Sequence, residues 1–327
     1  MSRQPIVSSW QQERSPADYD LILATIGYEK RSRHLPRVLS PSSDLKLASG
    51  FDRQQVLNYW DNSKWFSENG YEVRHPSDQE FQSLCLTTLA SLPSKKTKWR
   101  LWVDVSSITR SRIAVLIDAI RSCSLPVEIE VDFVYSLANY NPPPEVAPLN
   151  SHVGAVLAAF AGWTSEPDRG AVAIVGLGYE EDKALGAVEH VQAAETWILI
   201  PTSPVAEYTP ALRAANKTLL DVVPRDHQIQ YSVSTPLDLF IMLESLVYRL
   251  SQSRNPILLP FGPKLFAVCA LLVACIYQDT AVWRVSAEGF DTPMDRTSSP
   301  HIFGVKAIFP YIGPPEHSER SLASLPE

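Results

Sequence analysis

The sequence contains two series of strand-like and helix-like segments that follow one another in the same order, and this repeat limits the possible folds. In the first half, an apolar run that stops at Gly27 opens a series in which strand and helix signals alternate. A second series with the same order opens with an apolar run that stops at Gly178. Alternating strands and helices predict parallel sheets that are covered by helices on both faces.

The two series also match at the ends of their first strands. Gly27-Tyr28-Glu29 in the first series corresponds to Gly178-Tyr179-Glu180 in the second. We therefore predict an α/β fold of two tandem Rossmann-like units, each a parallel β-sheet flanked by helices, related by internal duplication. The alternative is one long α/β domain whose halves are alike because all strand–helix units are alike.

The segment between the two series begins with three consecutive prolines and then becomes apolar, which indicates a stiff piece that packs on a domain. The length of 327 residues suits two domains. The predicted boundaries are 1–145 for the first unit, 146–170 for the packed linker, 171–310 for the second unit and 311–327 for a C-terminal tail.

Composition narrows the class of protein. Apolar residues make up 45% and charged residues 20%, as in soluble globular proteins. The formal net charge of −7 argues against non-specific binding to nucleic acid, which needs a dense positive surface. The longest apolar run, 265–277, is too short to span a bilayer, and the N-terminus lacks a signal-peptide core. We expect a cytoplasmic protein without a membrane partner.

Cysteine and histidine spacing gives no sign of a metal site, since no C-x-x-C or H-x-x-x-H pattern occurs. A dinucleotide fingerprint needs a third glycine, and the turn at Gly176-x-Gly178 lacks it. We therefore predict neither a metal nor a cofactor.

Ligands of parallel α/β sheets bind beyond the carboxyl ends of the strands, so the residues just after each strand are the candidates. The two Gly-Tyr-Glu turns follow the first strands, and glycine there permits a sharp turn and the close approach of a ligand. Alternatively, glycine only makes the turn, and Glu29 and Glu180 complement the positive end of the next helix. Asp52 follows the second strand, about where a Rossmann unit holds a ribose carboxylate; a solvated loop acid is the alternative.

The turn after the fourth strand places Asp104, Ser106, Ser107 and Arg110 at the start of a helix. Unpaired N–H groups and the helix dipole make such a start suitable for an anion, and the guanidinium fork of Arg110 matches phosphate oxygens. We predict a phosphate site here, with Asp104 orienting Arg110 or accepting from a sugar hydroxyl.

The matching turn of the second series is Gly262-Pro263-Lys264, which again places a cation at a helix start. A cation there opposes the helix dipole, and anion binding would explain its position. The alternative is a capping turn whose cations, Arg110 and Lys264, pair with Glu29 or Glu180 across the site.

The turn Gly262-Pro263-Lys264 and the apolar helix after it resemble the CARF and SAVED domains, which are Rossmann-like ligand sensors. Those domains bind cyclic oligonucleotides in prokaryotic antiviral systems, and SAVED domains resemble two fused CARF units. The resemblance covers the fold of both halves but rests on one short motif. The usual glycine-glycine-threonine-lysine motif is reduced here to Gly262-Pro263-Lys264, and the first series has Ser-Ser-Ile-Thr-Arg at the corresponding turn.

Three functional hypotheses remain open. The first is a nucleotide-binding sensor or accessory protein, whose ligand lies between Arg110 and Lys264 with Tyr28 and Tyr179 against its bases. Such a sensor needs a protein partner, and the resemblance implies antiviral defence and a ligand like a cyclic oligonucleotide. The second is a nucleotide hydrolase or transferase that uses Glu29, Glu180 and Asp104. The third is a non-catalytic structural subunit of a complex.

Overall fold

A computed structural model describes residues 2–12, 18–143, 152–162, 166–286, 293–311 and 313. Its strands are β1 (Ile6–Ser9), β2 (Leu21–Thr25), β3 (Lys46–Ser49), β4 (Glu72–Arg74), β5 (Lys98–Asp104), β6 (Glu128–Ala138), β7 (His152–Ala155), β8 (Ala171–Gly176), β9 (Glu195–Thr202), β10 (Gln228–Ser232), β11 (Asn255–Pro260), β12 (Ala281–Ser286) and β13 (Ser298–Phe309). Its α-helices are α1 (His34–Leu39), α2 (Tyr59–Glu68), α3 (Asp78–Ala90), α4 (Arg110–Arg121), α5 (Lys183–Val191), α6 (Tyr208–Ala215), α7 (Lys217–Val222), α8 (Pro236–Ser251) and α9 (Lys264–Ile276).

The strands form two sheets with the same order. The first runs β4-β3-β2-β5-β6 in parallel and continues with antiparallel β13 and β1. The second runs β10-β9-β8-β11-β12 in parallel and continues with antiparallel β7. The predicted α/β fold of two Rossmann-like units is confirmed, and the shared strand order is the one that internal duplication produces.

The two units exchange their last strands. β7 follows β6 in the chain but pairs with β12 of the second sheet, whereas β13 follows β12 and pairs with β6 of the first sheet. The strand at 298–309 therefore belongs to the first sheet, although the predicted boundaries assign it to the second unit. An open strand edge is a template for pairing with another chain, and each exchanged strand covers the edge of the fifth strand of the other unit.

One hydrophobic core joins the units. Leu23 of the first sheet and Ile174 of the second belong to the same buried cluster, together with residues of α3, α4, α8 and α9. These four helices thus fill the space between the sheets. Because side chains alternate along a strand, Ile22 faces the opposite way and packs in a separate outer cluster with α1 and α2.

Local signals place several of these elements. Ser77 caps α3 with a capping box, in which its hydroxyl accepts from Glu80 N and the Glu80 carboxylate accepts from Ser77 N, as the sequence predicts. The longest apolar run forms α9, which is buried between the sheets. Among the described residues, no helix combines the length and apolar character that a membrane span requires. The predicted tail, apart from 311 and 313, lies outside the described residues.

Candidate functional site

A cavity of about 160 Å³ lies at the carboxyl edge of the second sheet. A single water needs roughly 10–15 Å³ by the same measure, so the cavity has room for a molecule of many atoms. Its floor comes from the residues after β8, β9, β10 and β11, and its cover from Arg31, Arg110, Tyr135 and Leu137 of the first unit. The cavity therefore lies between the two units, at the point where the strand order of the second sheet reverses.

The two predicted cationic turns meet at this cavity. Arg110, the first residue of α4, donates from Nη2 to the carbonyl oxygens of Phe261 (2.8 Å) and Gly262 (2.7 Å). Lys264, the first residue of α9, donates from Nζ to the carbonyl oxygen of Ser106 (2.7 Å). Each cation thus reaches across to the equivalent turn of the other unit.

Two further arginines, which are not among the predicted site residues, bring the cations that line the cavity to four among the described residues. Arg31 is buried, pairs with the Glu29 carboxylate and donates to the carbonyl oxygen of Ser136 (3.2 Å). Arg296 precedes β13, and its Nη1 lies 3.8 Å from Glu29 Oε1. Arg31 lies two residues after Glu29, so the sequence could have predicted that it lies near the same turn. Nothing in the local sequence marks Arg296.

The electrostatics of the cavity favour an anion. Burial, and then the positive charges of Arg31, Arg110 and Arg296, lower the pKa of Lys264 to about 7. Burial also lowers the pKa of Arg110. Within the described ranges, Nε of Arg110 and Nε of Arg296 are buried without a hydrogen-bond partner. A bound anion would offset this concentration of positive charge, and phosphate oxygens suit guanidinium donors.

An aromatic group forms another part of the cavity. The ring of Tyr179 lies 5.4 Å from that of Tyr208 and 6.0 Å from that of Tyr140, and Tyr179 and Tyr208 line the cavity. The Tyr208 hydroxyl donates toward the carbonyl oxygens of Ala138 (3.3 Å) and Asn139 (3.2 Å), which holds the second unit to the first. Tyr28, by contrast, packs in the outer core of the first unit and does not line this cavity.

The glycines of the predicted turns allow close packing between segments. A Cβ at Gly27 would lie 2.9 Å from Ser107 Cβ, so Gly27 brings the first and fourth turns of its unit together. Gly178 and Gly262 both line the cavity, and a Cβ at Gly262 would lie 2.7 Å from the carbonyl oxygen of Leu177.

The predicted serines do not line the cavity. The Ser106 hydroxyl is buried and accepts from Ser136 N (2.9 Å), which fixes the turn to β6. The Ser107 hydroxyl is buried against Gly27 and has no hydrogen-bond partner within the described part of the chain.

The predicted acids are dispersed. Asp104 is 2% exposed, its Oδ1 accepts from Ser106 N (2.8 Å), and burial raises its pKa to about 6. Asp52 lies on the surface, 3.8 Å from Arg53 Nε. Glu29 pairs with Arg31, and Glu180 is the acid among these that lines the cavity.

Fold and cavity together define a two-unit Rossmann-like protein with a cationic and aromatic cavity between the units. No protein-family model matches the sequence, and no curated protein matches it. Several solved structures are similar, among them the following two. One is a universal stress protein from Pseudomonas aeruginosa UCBPP-PA14, with 12% identity, 81% of this chain and 92% of that chain covered, and a TM-score of 0.25. The other is the cytoplasmic domain of a prokaryotic cation chloride cotransporter, with 11% identity, 84% and 98% covered, and a TM-score of 0.25. Similarity this low does not bear on function.

Proposed function

We propose that this protein binds a nucleotide in the cavity between its two units. The observation that carries the proposal is the convergence of Arg31, Arg110, Lys264 and Arg296 on one cavity that Tyr179 also lines. Guanidinium and ammonium groups recognise phosphate oxygens, and an aromatic ring offers a flat surface to a base. Gly178 and Gly262 line the same cavity, and their lack of a Cβ lets the turns that form its floor pack closely together.

A finer proposal is that the protein is a sensor or accessory protein of a prokaryotic antiviral system, with a cyclic oligonucleotide as its ligand. Its support is the resemblance of the turn Gly262-Pro263-Lys264 to CARF and SAVED domains, which bind such ligands across paired Rossmann-like units. A sensor of this kind would pass its signal to a separate protein partner.

The geometry favours binding over catalysis. A hydrolase or transferase that used Glu29, Glu180 and Asp104 would need these acids around one reacting group. Glu180 lines the cavity, whereas Glu29 is paired with Arg31 and Asp104 lies buried behind Ser106. We therefore assign Glu180 to the rim of a binding site.

The test is a thermal-shift screen with nucleoside mono- and triphosphates and with cyclic di- and trinucleotides, followed by product analysis. We expect at least one nucleotide to raise the melting temperature without turnover, since a ligand at a hundred times its Kd adds about 2.7 kcal/mol of stability. The double change Arg110→Gln and Lys264→Gln should abolish the shift.

The matched control is Arg53→Gln with Lys64→Gln, because both side chains are largely exposed, at 90% and 76%, and do not line the cavity. A screen in which no nucleotide stabilises the protein would overturn the proposal and favour a structural subunit. Turnover of a nucleotide would show an enzyme instead.

A further inference from the structure

The two units differ at the strand ends where a base would lie. In the first unit, the crevice beyond β3 and β4 is filled by its own side chains. The Tyr59 hydroxyl lies 2.6 Å from His75 Nδ1 and bonds to the backbone of Phe51, and it leaves no space beside Gly50. Arg112 is 1% exposed and completes the plug.

Arg112 is held on every side. Its guanidinium donates to the carbonyl oxygens of Gly50 and Pro76 and to Asp78 Oδ1, and it lies 4.0 Å from the centre of the Phe51 ring. A buried guanidinium with this many partners is costly to displace, because leaving any partner unpaired carries the desolvation penalty of that group. The first crevice is therefore closed to a ligand.

In the described part of the second unit, no arginine takes the place of Arg112. Arg112 is the third residue of α4, and the third residue of α9 is Phe266. The Phe266 ring instead covers Gly176, where a Cβ would lie 2.6 Å from ring carbons. The crevice beyond β9 and β10, the strands equivalent to β3 and β4, is thereby left open, and Pro201, Ser203 and Val233 line it as part of the cavity.

Strand order separates the cavity into two ends. Arg110 and Lys264 lie at the turn after β11, next to β8, and form the cationic end. The ends of β9 and β10, with Leu212 and Tyr208 of α6, form an end whose own lining is mainly apolar, although the positive charges of Arg296 and Arg31 act on Tyr208 there. Neighbouring strands are about 4.8 Å apart, so the ends are separated by roughly 10–14 Å across the sheet. A phosphate alone fills one end, whereas a phosphate joined to a sugar and a base reaches both.

Resting on the proposed nucleotide binding, we propose that the ligand is a nucleoside monophosphate, bound once per chain, with its phosphate at the cationic end and its base at the apolar end beside Tyr179. The cyclic oligonucleotide that the resemblance to CARF and SAVED domains implies repeats the base-and-phosphate unit and calls for two open crevices, so the geometry favours a monophosphate over that ligand. This protein keeps one open and fills the other with Tyr59 and Arg112.

The experiment is calorimetric titration of the intact protein with the four nucleoside 5′-monophosphates, ribose 5-phosphate, inorganic phosphate and a cyclic dinucleotide. At least one monophosphate should bind at one per chain, about 5- to 150-fold more tightly than ribose 5-phosphate, as expected for one base–aromatic stack. Inorganic phosphate should bind more weakly still.

Two variants test the position of the base. Tyr179→Ala removes the ring on which the base would stack, and Ser203→Trp fills the apolar end with a large side chain. If one variant fails to fold, the other remains informative. Each should weaken monophosphate binding to the level of ribose 5-phosphate and leave ribose 5-phosphate binding unchanged. The matched control is Tyr248→Ala, a tyrosine on α8 that is 59% exposed and does not line the cavity.

The outcomes separate this inference from the proposed function. Tighter binding of the cyclic dinucleotide, or two monophosphates per chain, would overturn the inference and leave nucleotide binding standing. Equal binding of ribose 5-phosphate and the monophosphates would overturn the base position. Absence of binding by any nucleotide would remove the proposed function itself.

Discussion

At the scale of the residue, Lys264 differs from its three cationic neighbours because its charge can change near neutral pH. Arginine stays protonated in proteins, whereas a buried lysine loses its proton readily. Burial and the charges of Arg31, Arg110 and Arg296 lower the pKa of Lys264 to about 7, against a partial opposing effect from Glu29. A bound phosphate would restore the charged form, so binding and protonation are coupled.

We therefore expect nucleotide affinity to fall as pH rises through about 7, because the lysine that should bind phosphate becomes neutral. Calorimetric titration at pH 6, 7 and 8 measures this. The Lys264→Arg variant, which keeps its charge, should bind with a much flatter pH profile. An identical profile in the wild type and in Lys264→Arg would exclude Lys264 as the titrating group.

The lowered pKa of Lys264 also makes the stability of the free protein depend on pH, in the direction opposite to that of the affinity. Because the folded pKa, about 7, lies below the unfolded value near 10.4, the unfolded chain binds the extra proton between these two pH values. The contribution of Lys264 to the free energy of unfolding should thus rise with pH across that window. Urea denaturation of the wild type and Lys264→Met at pH 6.5 and 9 should show the wild type gaining on the variant at pH 9. A constant difference would contradict the lowered pKa.

At the scale of the element, α3 shows how far local rules reach. Its start at Asp78 follows from Ser77 and Glu80, whose reciprocal bonds satisfy backbone N–H groups that the helix cannot pair internally. By contrast, α9 has no side-chain cap, and its place is fixed by burial between the two sheets. The start of α3 is thus readable from four residues, whereas the position of α9 between the sheets depends on its surroundings.

Ser77→Ala should lower the free energy of unfolding by about 1 kcal/mol, the usual loss for an N-cap serine. Urea denaturation monitored by circular dichroism measures the change. The control is Ser83→Ala, since Ser83 is an exposed interior position of the same helix and alanine is the better helix former there. Equal losses in both variants would show that the cap contributes nothing.

At the level of the whole molecule, the strand exchange and the shared core join the two units. β13 lies between β1 and β6 in the first sheet, and its Val305, Ala307 and Phe309 are buried in the shared core. The helices α4 and α9 pack against each other in the same core, so separating the units would expose both. Interior surface of this kind is costly to expose to water.

A cut between the units should therefore leave them associated. A site-specific protease sequence placed within 144–150 would yield two fragments, the second of which still supplies β13 to the first sheet. We expect the cleaved protein to elute in size-exclusion chromatography at the volume of the intact chain, and to separate in urea. Separation without denaturant would show that β13 is not held in the first sheet.

From the sequence alone, the alternating strands and helices of the two parallel sheets are predictable, as are several residues that line the cavity, but the strands β1 and β7 are not. The two Gly-Tyr-Glu turns and the cations Arg110 and Lys264 were readable because strand endings and helix starts are set by a few neighbouring residues. The structure brings Gly178, Tyr179, Arg110, Gly262 and Lys264 to one cavity.

The pairing of β13 with the first sheet is visible only in the folded chain. The same holds for the positions of Arg31 and Arg296 in the cavity and of Tyr28 and Asp52 outside it. The tertiary structure also decided that the first crevice is filled by Arg112 while the second stays open. The physical reason is that strand pairing, burial and charge depend on contacts between residues far apart in the chain. A periodic pattern shows that a segment has a buried face, but what covers that face is settled when the whole chain has folded.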